Sequence, residues 1–107
     1  MGINEIRNIV TAWAETQPLV LKVWLFGSRV RRTERPDSDI DIAVEVETRT
    51  GDSSAWTTFI FEADGLTASI QSLLPMKVQL EWYGGPVETP TIHAGLQASS
   101  MLVYEAT

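Results

Sequence analysis

Residues 27–41 read GSRVRRTERPDSDID, and this stretch decides how the rest of the chain is read. Before it, Val20 to Phe26 (VLKVWLF) is nearly continuous in apolar residues, with Val and aromatics prominent. That composition predicts a central strand of the kind buried under helices in an α/β sheet. Gly27-Ser28 stops the strand, and SRVRR opens a short helix with Ser28 near its N-cap. RTERPDSD is turn chemistry, with Pro36 fixing the backbone among Asp and Ser. From residue 39 to 46 the pattern alternates: Ile40, Ile42, Val44 and Val46 share one face, and Asp39, Asp41, Ala43 and Glu45 share the other. The stretch is therefore a strand, a turn and a second strand with carboxylates on its polar side.

Working outward, residues 3–15 place Ile3, Ile6, Ile9, Val10 and Trp13 on one helical face, and Pro18 marks the loop after it. Residues 53–74 carry Trp56, Phe59, Ile60, Ala63, Ile70, Leu73 and Leu74 at helical spacing. Gly65 interrupts them, which leaves open a kink or two shorter helices, and the TTFIF portion is weak helix sequence. Met76 to Trp82 alternates again, with Lys77, Gln79 and Glu81 opposite Val78, Leu80 and Trp82. A helix over 88–97 and a strand over 101–105 complete the chain. The order α-β-α-β-α-β-α-β predicts an α/β fold of the α+β kind, a small mixed sheet of about four strands with helices packed on it.

A chain of 107 residues has room for one domain, 1–107, with one modest core. The absence of cysteine removes disulfides, thiol catalysis and thiolate metal sites, and a single histidine, His93, removes a multi-His site within one chain. No apolar run reaches the roughly 18–20 residues that span a bilayer. The N-terminus lacks a basic region followed by an apolar one, so no signal peptide and a cytoplasmic setting are expected. The net charge of −6 argues against broad binding to nucleic acid. Its distribution is uneven: Arg29, Arg31, Arg32 and Arg35 abut Glu34, Asp37, Asp39, Asp41, Glu45 and Glu47. Any chemistry must use carboxylates, hydroxyls and arginines.

Those groups suit one task. Gly27 lets backbone approach a ligand closely, and the amides opening the following helix, with the Ser28 hydroxyl, can receive a phosphate. Arg29 adds a guanidinium able to make two parallel bonds to phosphate oxygens. Asp39 and Asp41 project from the same strand face, where two carboxylates repel unless a cation lies between them. Hard oxygen ligands suit Mg²⁺ or Mn²⁺. A phosphate cradle beside a divalent site equips a protein for phosphoryl or nucleotidyl transfer.

The motif G-S, ten residues, then D-x-D resembles the signature of the nucleotidyltransferase superfamily. In length and layout the chain is similar to the minimal nucleotidyltransferase (MNT) proteins, single small domains that pair with a helical HEPN partner as toxin and antitoxin. The resemblance runs from WLFGSRVR through SDIDIAVEV and more weakly through LPMKVQLEW and LVYE. It implies a metal-dependent protein that moves a nucleoside monophosphate, AMP from ATP or the equivalent from another nucleoside triphosphate, to an acceptor hydroxyl. In that role Asp39 and Asp41 bind Mg²⁺ or Mn²⁺ and act in catalysis, while Gly27, Ser28 and Arg29 bind the nucleotide. A hydroxyl on the HEPN-like partner is one acceptor the resemblance suggests. A homo-oligomer stays open.

Two departures from the family pattern matter. Where the family often has glycine after GSRxx, this chain has Arg32, whose Cβ disfavours a left-handed backbone. The position of the family's third acid matches Gln79, and an amide cannot act as a general base. Glu81 lies on the same strand face, roughly 6–7 Å further along, and is the candidate replacement. Two functions compete: a transferase using Asp39, Asp41 and Glu81, and a catalytically impaired antitoxin that acts by covering its partner. His93 reads as a surface or boundary residue, and Arg31 and Arg35 as phosphate-tracking or solvated charges alike. Trp13, Trp24, Trp56 and Trp82 read as core, with an aromatic contact from Trp82 or Tyr83 as the alternative.

Overall fold

The computed structural model describes all residues from Met1 to Thr107. Its elements are α1 (Ile3–Glu15), β1 (Val20–Phe26), α2 (Ser28–Arg31), β2 (Ile40–Val46), α3 (Ala55–Gln71), β3 (Val78–Trp82), α4 (Gly85–Glu88), α5 (Pro90–Ala98) and β4 (Ser100–Glu105). The four strands form one sheet in the order β3-β2-β1-β4. β1 runs antiparallel to both its neighbours, and β2 and β3 run parallel. The parallel pair needs a crossover, which α3 supplies. The sheet is mixed, as the order of elements predicts.

One face of the sheet is dry. Ile6, Val10 and Trp13 from α1 and Phe59, Leu66 and Ile70 from α3 pack against Val23, Leu25, Ile40, Ile42, Val44 and Val78. The two helices are also tied to each other, because the Trp13 indole N–H donates to Ser69 Oγ at 2.8 Å. The β1 side chains of opposite parity, Trp24 and Phe26, face the other way. There α5 covers them: the backbone at Gly95 lies against the Phe26 ring, and Tyr83 meets Trp24 edge-on at 5.1 Å between centroids. α5 covers the β1 side of this second face and leaves the Asp39–Asp41 corner half-buried.

One expectation about helices changes, and one element is added. α3 is one uninterrupted helix through Gly65, not two shorter ones. Its start is well secured: Ser54 Oγ accepts from the Thr57 amide, and buried Thr58 bonds both the Asp52 carboxylate and the Arg49 amide. Burial of Phe59, Leu66 and Ile70 outweighs the roughly 1 kcal/mol that a mid-helix glycine costs. The helix expected over 88–97 is α5, which starts at Pro90, and a separate single turn, α4, precedes it across Thr89. Pro90 has no N–H to give and restricts the residue before it, which sits at φ −130°, ψ 65°.

The space around Gly65 is open, with no atom within 4 Å of where a Cβ would stand. Gly65→Ala is therefore expected to stabilise the protein by about 1 kcal/mol in urea unfolding. A destabilised variant would mean that α3 bends at this point.

Candidate functional site

The register of β1 on β2 builds the site. Phe26, the last residue of β1, lies opposite Asp41, so the chain leaves the sheet at Gly27 directly beside that carboxylate. Gly27 has φ 82°, and a Cβ there would overlap the Asp41 carboxylate. Glycine is thus required twice, for its backbone conformation and for the space that Asp41 occupies. Gly27, rather than Ser28, is the N-cap of α2. Ser28 is the first helical residue, half-buried, and its hydroxyl has no partner within the protein, so it remains available as a donor. The turn after α2 takes its left-handed form despite the missing glycine: Arg32 sits at φ 64°, ψ 31°, with its amide and that of Thr33 on the Ser28 carbonyl. The arginine strains this turn by about 1 kcal/mol without reshaping it.

The four clustered arginines separate into different tasks. Arg29 is 8% exposed, and its Nε and Nη2 donate to the Ser38 carbonyl at 3.1 and 2.8 Å. Ser38 in turn accepts the Arg35 amide on its Oγ. Arg29, read from the sequence as a phosphate ligand, is placed as the anchor of the loop that delivers Asp39. Arg31 is exposed and close enough to Asp41 to favour its ionised form. Residues two apart on a helix point to nearly opposite sides. That spacing was the available signal: only one of Arg29 and Arg31 can face the acids.

The carboxylates meet across the parallel pair. Asp41 lies opposite Gln79, and Ala43 opposite Glu81. Gln79 Nε2 donates to Asp39 Oδ2 at 3.0 Å, so a neutral amide lies beside the carboxylate pair. Burial raises the Asp41 pKa above its ordinary value, and the charges of Asp39 and Glu81 raise it further, against the opposing pull of Arg31. Glu81 is exposed and acts on Asp41 through charge; no group of three or more acids or histidines converges to hold an ion. Two carboxylates with surplus negative charge, and a neutral amide beside them, are a donor set that fits one hard divalent cation.

The aromatic expectations change in part. Trp13 is buried, but Trp24 and Trp82 are half-buried, and Trp56 is 47% exposed, packed on Trp82 at 5.1 Å between centroids. Helical spacing put Trp56 near the apolar stripe of α3, and it falls at the rim of that stripe, against the last residue of β3. His93 is a boundary residue as expected, with Nδ1 2.7 Å from the Tyr83 hydroxyl.

The geometry has a counterpart among known proteins. The model of the family described as "Polymerase beta, Nucleotidyltransferase" matches residues 8–83. This chain belongs to the polymerase beta nucleotidyltransferase family. The span takes in Gly27, Ser28, Asp39, Asp41 and Gln79. Among solved structures, a toxin–antitoxin with AMP-PNP superposes with a TM-score of 0.65 at 21% identity, over 94% of this chain and 74% of that one. A mutant of the toxin–antitoxin MntA-HpeT gives 0.58 at 21% identity, over 100% and 76%. A structure from Shewanella oneidensis gives 0.57 at 18%, over 97% and 73%. These likenesses support the nucleotidyltransferase fold expected from the motif. A search of curated protein sequences returns no match.

The raised Asp41 pKa makes a pH prediction. The folded protein holds this proton more tightly than the unfolded chain, so the group favours the fold in acid and that contribution is lost as pH rises through the folded pKa. Asp41→Asn removes the penalty of a half-buried charge beside Asp39. The variant should melt higher than wild type at pH 7, and the difference should vanish below the ordinary carboxyl value of 3.8. Equal melting temperatures at pH 7 would contradict the electrostatic account of the site.

Proposed function

We propose that this protein is a nucleotidyltransferase acting in a toxin–antitoxin pair: it binds a nucleoside triphosphate, ATP foremost, and transfers the monophosphate to a hydroxyl on a partner protein. The observation that carries this reading is the Asp41 carboxylate seated on Gly27 with Asp39 beside it. The resemblance implies that the partner is a helical HEPN-like protein. The structural neighbours with AMP-PNP and with MntA-HpeT favour an adenine nucleotide and a protein partner.

Each residue then has a task. Asp39 and Asp41 would hold Mg²⁺ or Mn²⁺, which neutralises charge on the triphosphate and its leaving group. The Ser28 hydroxyl and the first amides of the turn at Gly27 meet the outer phosphates, and Arg31 offsets charge on the side facing Asp41. Arg29 keeps the 35–38 loop folded so that Asp39 stays in place. The acceptor oxygen forms a bond to the α-phosphorus, the bond from that phosphorus to the bridging oxygen breaks, and pyrophosphate leaves. The acceptor proton needs a base, and Gln79 cannot take it. Glu81, one pleat further along the same face, is the nearest further carboxylate on β3. Its offset from Asp41 predicts slow transfer.

The Gln79–Asp39 hydrogen bond favours a second reading, in which the domain neutralises its partner by binding it and transfers little or nothing. The two are separated by incubating the protein with α-labelled ATP, Mg²⁺ and the protein encoded beside it. Label should pass to the partner from wild type but not from the Asp39→Ala/Asp41→Ala variant. Gln79→Asp should raise the transfer rate at least tenfold, since a positioned base typically contributes more than that. No label on the partner from either Gln79→Asp or wild type would overturn transfer. Neutralisation of the partner in cells by the double variant would then support the second reading.

A further inference from the structure

At the far end of β2 from the acid pair lies a second cleft, of about 320 Å³, where α3 begins and β3 gives way to α4. Asp41 and Glu45 are separated along β2 by roughly 13 Å of strand, so the two places are distinct. The walls of the cleft include Trp56, Trp82 and Tyr83, with Glu45 and Glu88 among the polar residues and no lysine or arginine. Glu88 forms no salt bridge, and Glu45 has Lys22 as its cross-strand neighbour, although that ammonium is bonded to Glu105 at 3.4 Å. The chain folds back over the Trp82 ring at Gly84, where a Cβ would collide with the indole. Trp56 packs at a tilt on the same indole and stacks on Phe59, yet leaves nearly half its own surface, 47%, in water. Ile60 on the next turn of α3 and Val87 on α4 are exposed as well.

A half-exposed tryptophan beside the Glu88 carboxylate, with Glu45 on the same cleft wall, is suited to a cation with a flat apolar body. A guanidinium can lie on an indole within about 6 Å of its centroid while its edge donates to a carboxylate. We infer that the Trp56–Trp82 cleft, with Glu45 and Glu88, is a docking site for an arginine-bearing segment of the partner protein. The inference takes its occupant from the partner reading above and adds the surface and the chemistry by which that partner is held. The net charge of −6 draws a basic segment toward this protein, and the aromatic cleft selects where it settles. Trp56 is the anchor, and Glu45 and Glu88 fix the orientation of the guanidinium.

The test follows the tryptophan indole N–H signals of the full ¹⁵N-labelled protein on addition of acetyl-hexaarginine amide in about 0.15 M salt. The signals of Trp56 and Trp82 should shift, and acetyl-hexaglutamate amide should leave them in place. Trp56→Ala and the separately made Glu45→Gln/Glu88→Gln variant should each weaken peptide affinity about fivefold or more. Asp39→Asn/Asp41→Asn should leave it nearly unchanged. Equal loss of affinity in the Asp39→Asn/Asp41→Asn protein would overturn the inference, since binding would then follow bulk charge. Shifts of the same indoles with protein concentration alone, or with Mg²⁺–ATP, would overturn it in favour of a second copy or a nucleotide base. Retained Mg²⁺–ATP binding in the Glu45→Gln/Glu88→Gln variant distinguishes failure here from failure of the nucleotide site.

Discussion

The contact between the Asp41 carboxylate and the backbone of Gly27 organises this molecule. It exists because β1 and β2 pair antiparallel with Phe26 opposite Asp41, and that register rests on the apolar residues beneath. Val23, Leu25, Ile42 and Val44 are fully buried against α1 and α3, and a one-residue slip would turn every one of them to the polar face. The register of a hydrophobic core thereby fixes the position of a charged group on the opposite face. A glycine is needed at the end of β1 because the carboxylate occupies the space a side chain would fill.

Charge then sets what the site can do. Asp41 is half-buried and faces the negative charge of Asp39 and Glu81, with Arg31 as the opposing cation. A third carboxylate at residue 79 would add to that repulsion in the absence of a cation. Gln79 instead donates a hydrogen bond to Asp39, which relieves it. The same amide cannot take a proton, so the site is easier to fold but has no general base at residue 79.

Much of the fold was legible because its signals are local and periodic. α1 over 3–15 and β1 over 20–26 have the bounds their patterns indicate. Gly65 misled because helix propensity is a weak local term, and the packing of Phe59, Leu66 and Ile70 outweighs it. At the site, strand parity put Asp39 and Asp41 on one face and Gly27-Ser28 at the end of β1, while Gln79 was matched to the site only through the family resemblance. Arg29 and Arg31 could not be assigned by composition, because charge does not say which side of a short helix faces the acids. Trp56 was read as core since apolar character and helical spacing are shared by the centre and the rim of a buried stripe.

The central claim is that Gly27 holds Asp41 in place to bind a divalent cation with a triphosphate. Calorimetric titration of Mg²⁺–AMP-PNP into wild type and Gly27→Ala tests it most directly, with circular dichroism confirming that the variant is folded. The account predicts measurable binding by wild type, and a loss in folded Gly27→Ala as large as the loss in Asp41→Ala. Wild-type affinity in a folded Gly27→Ala protein would contradict it.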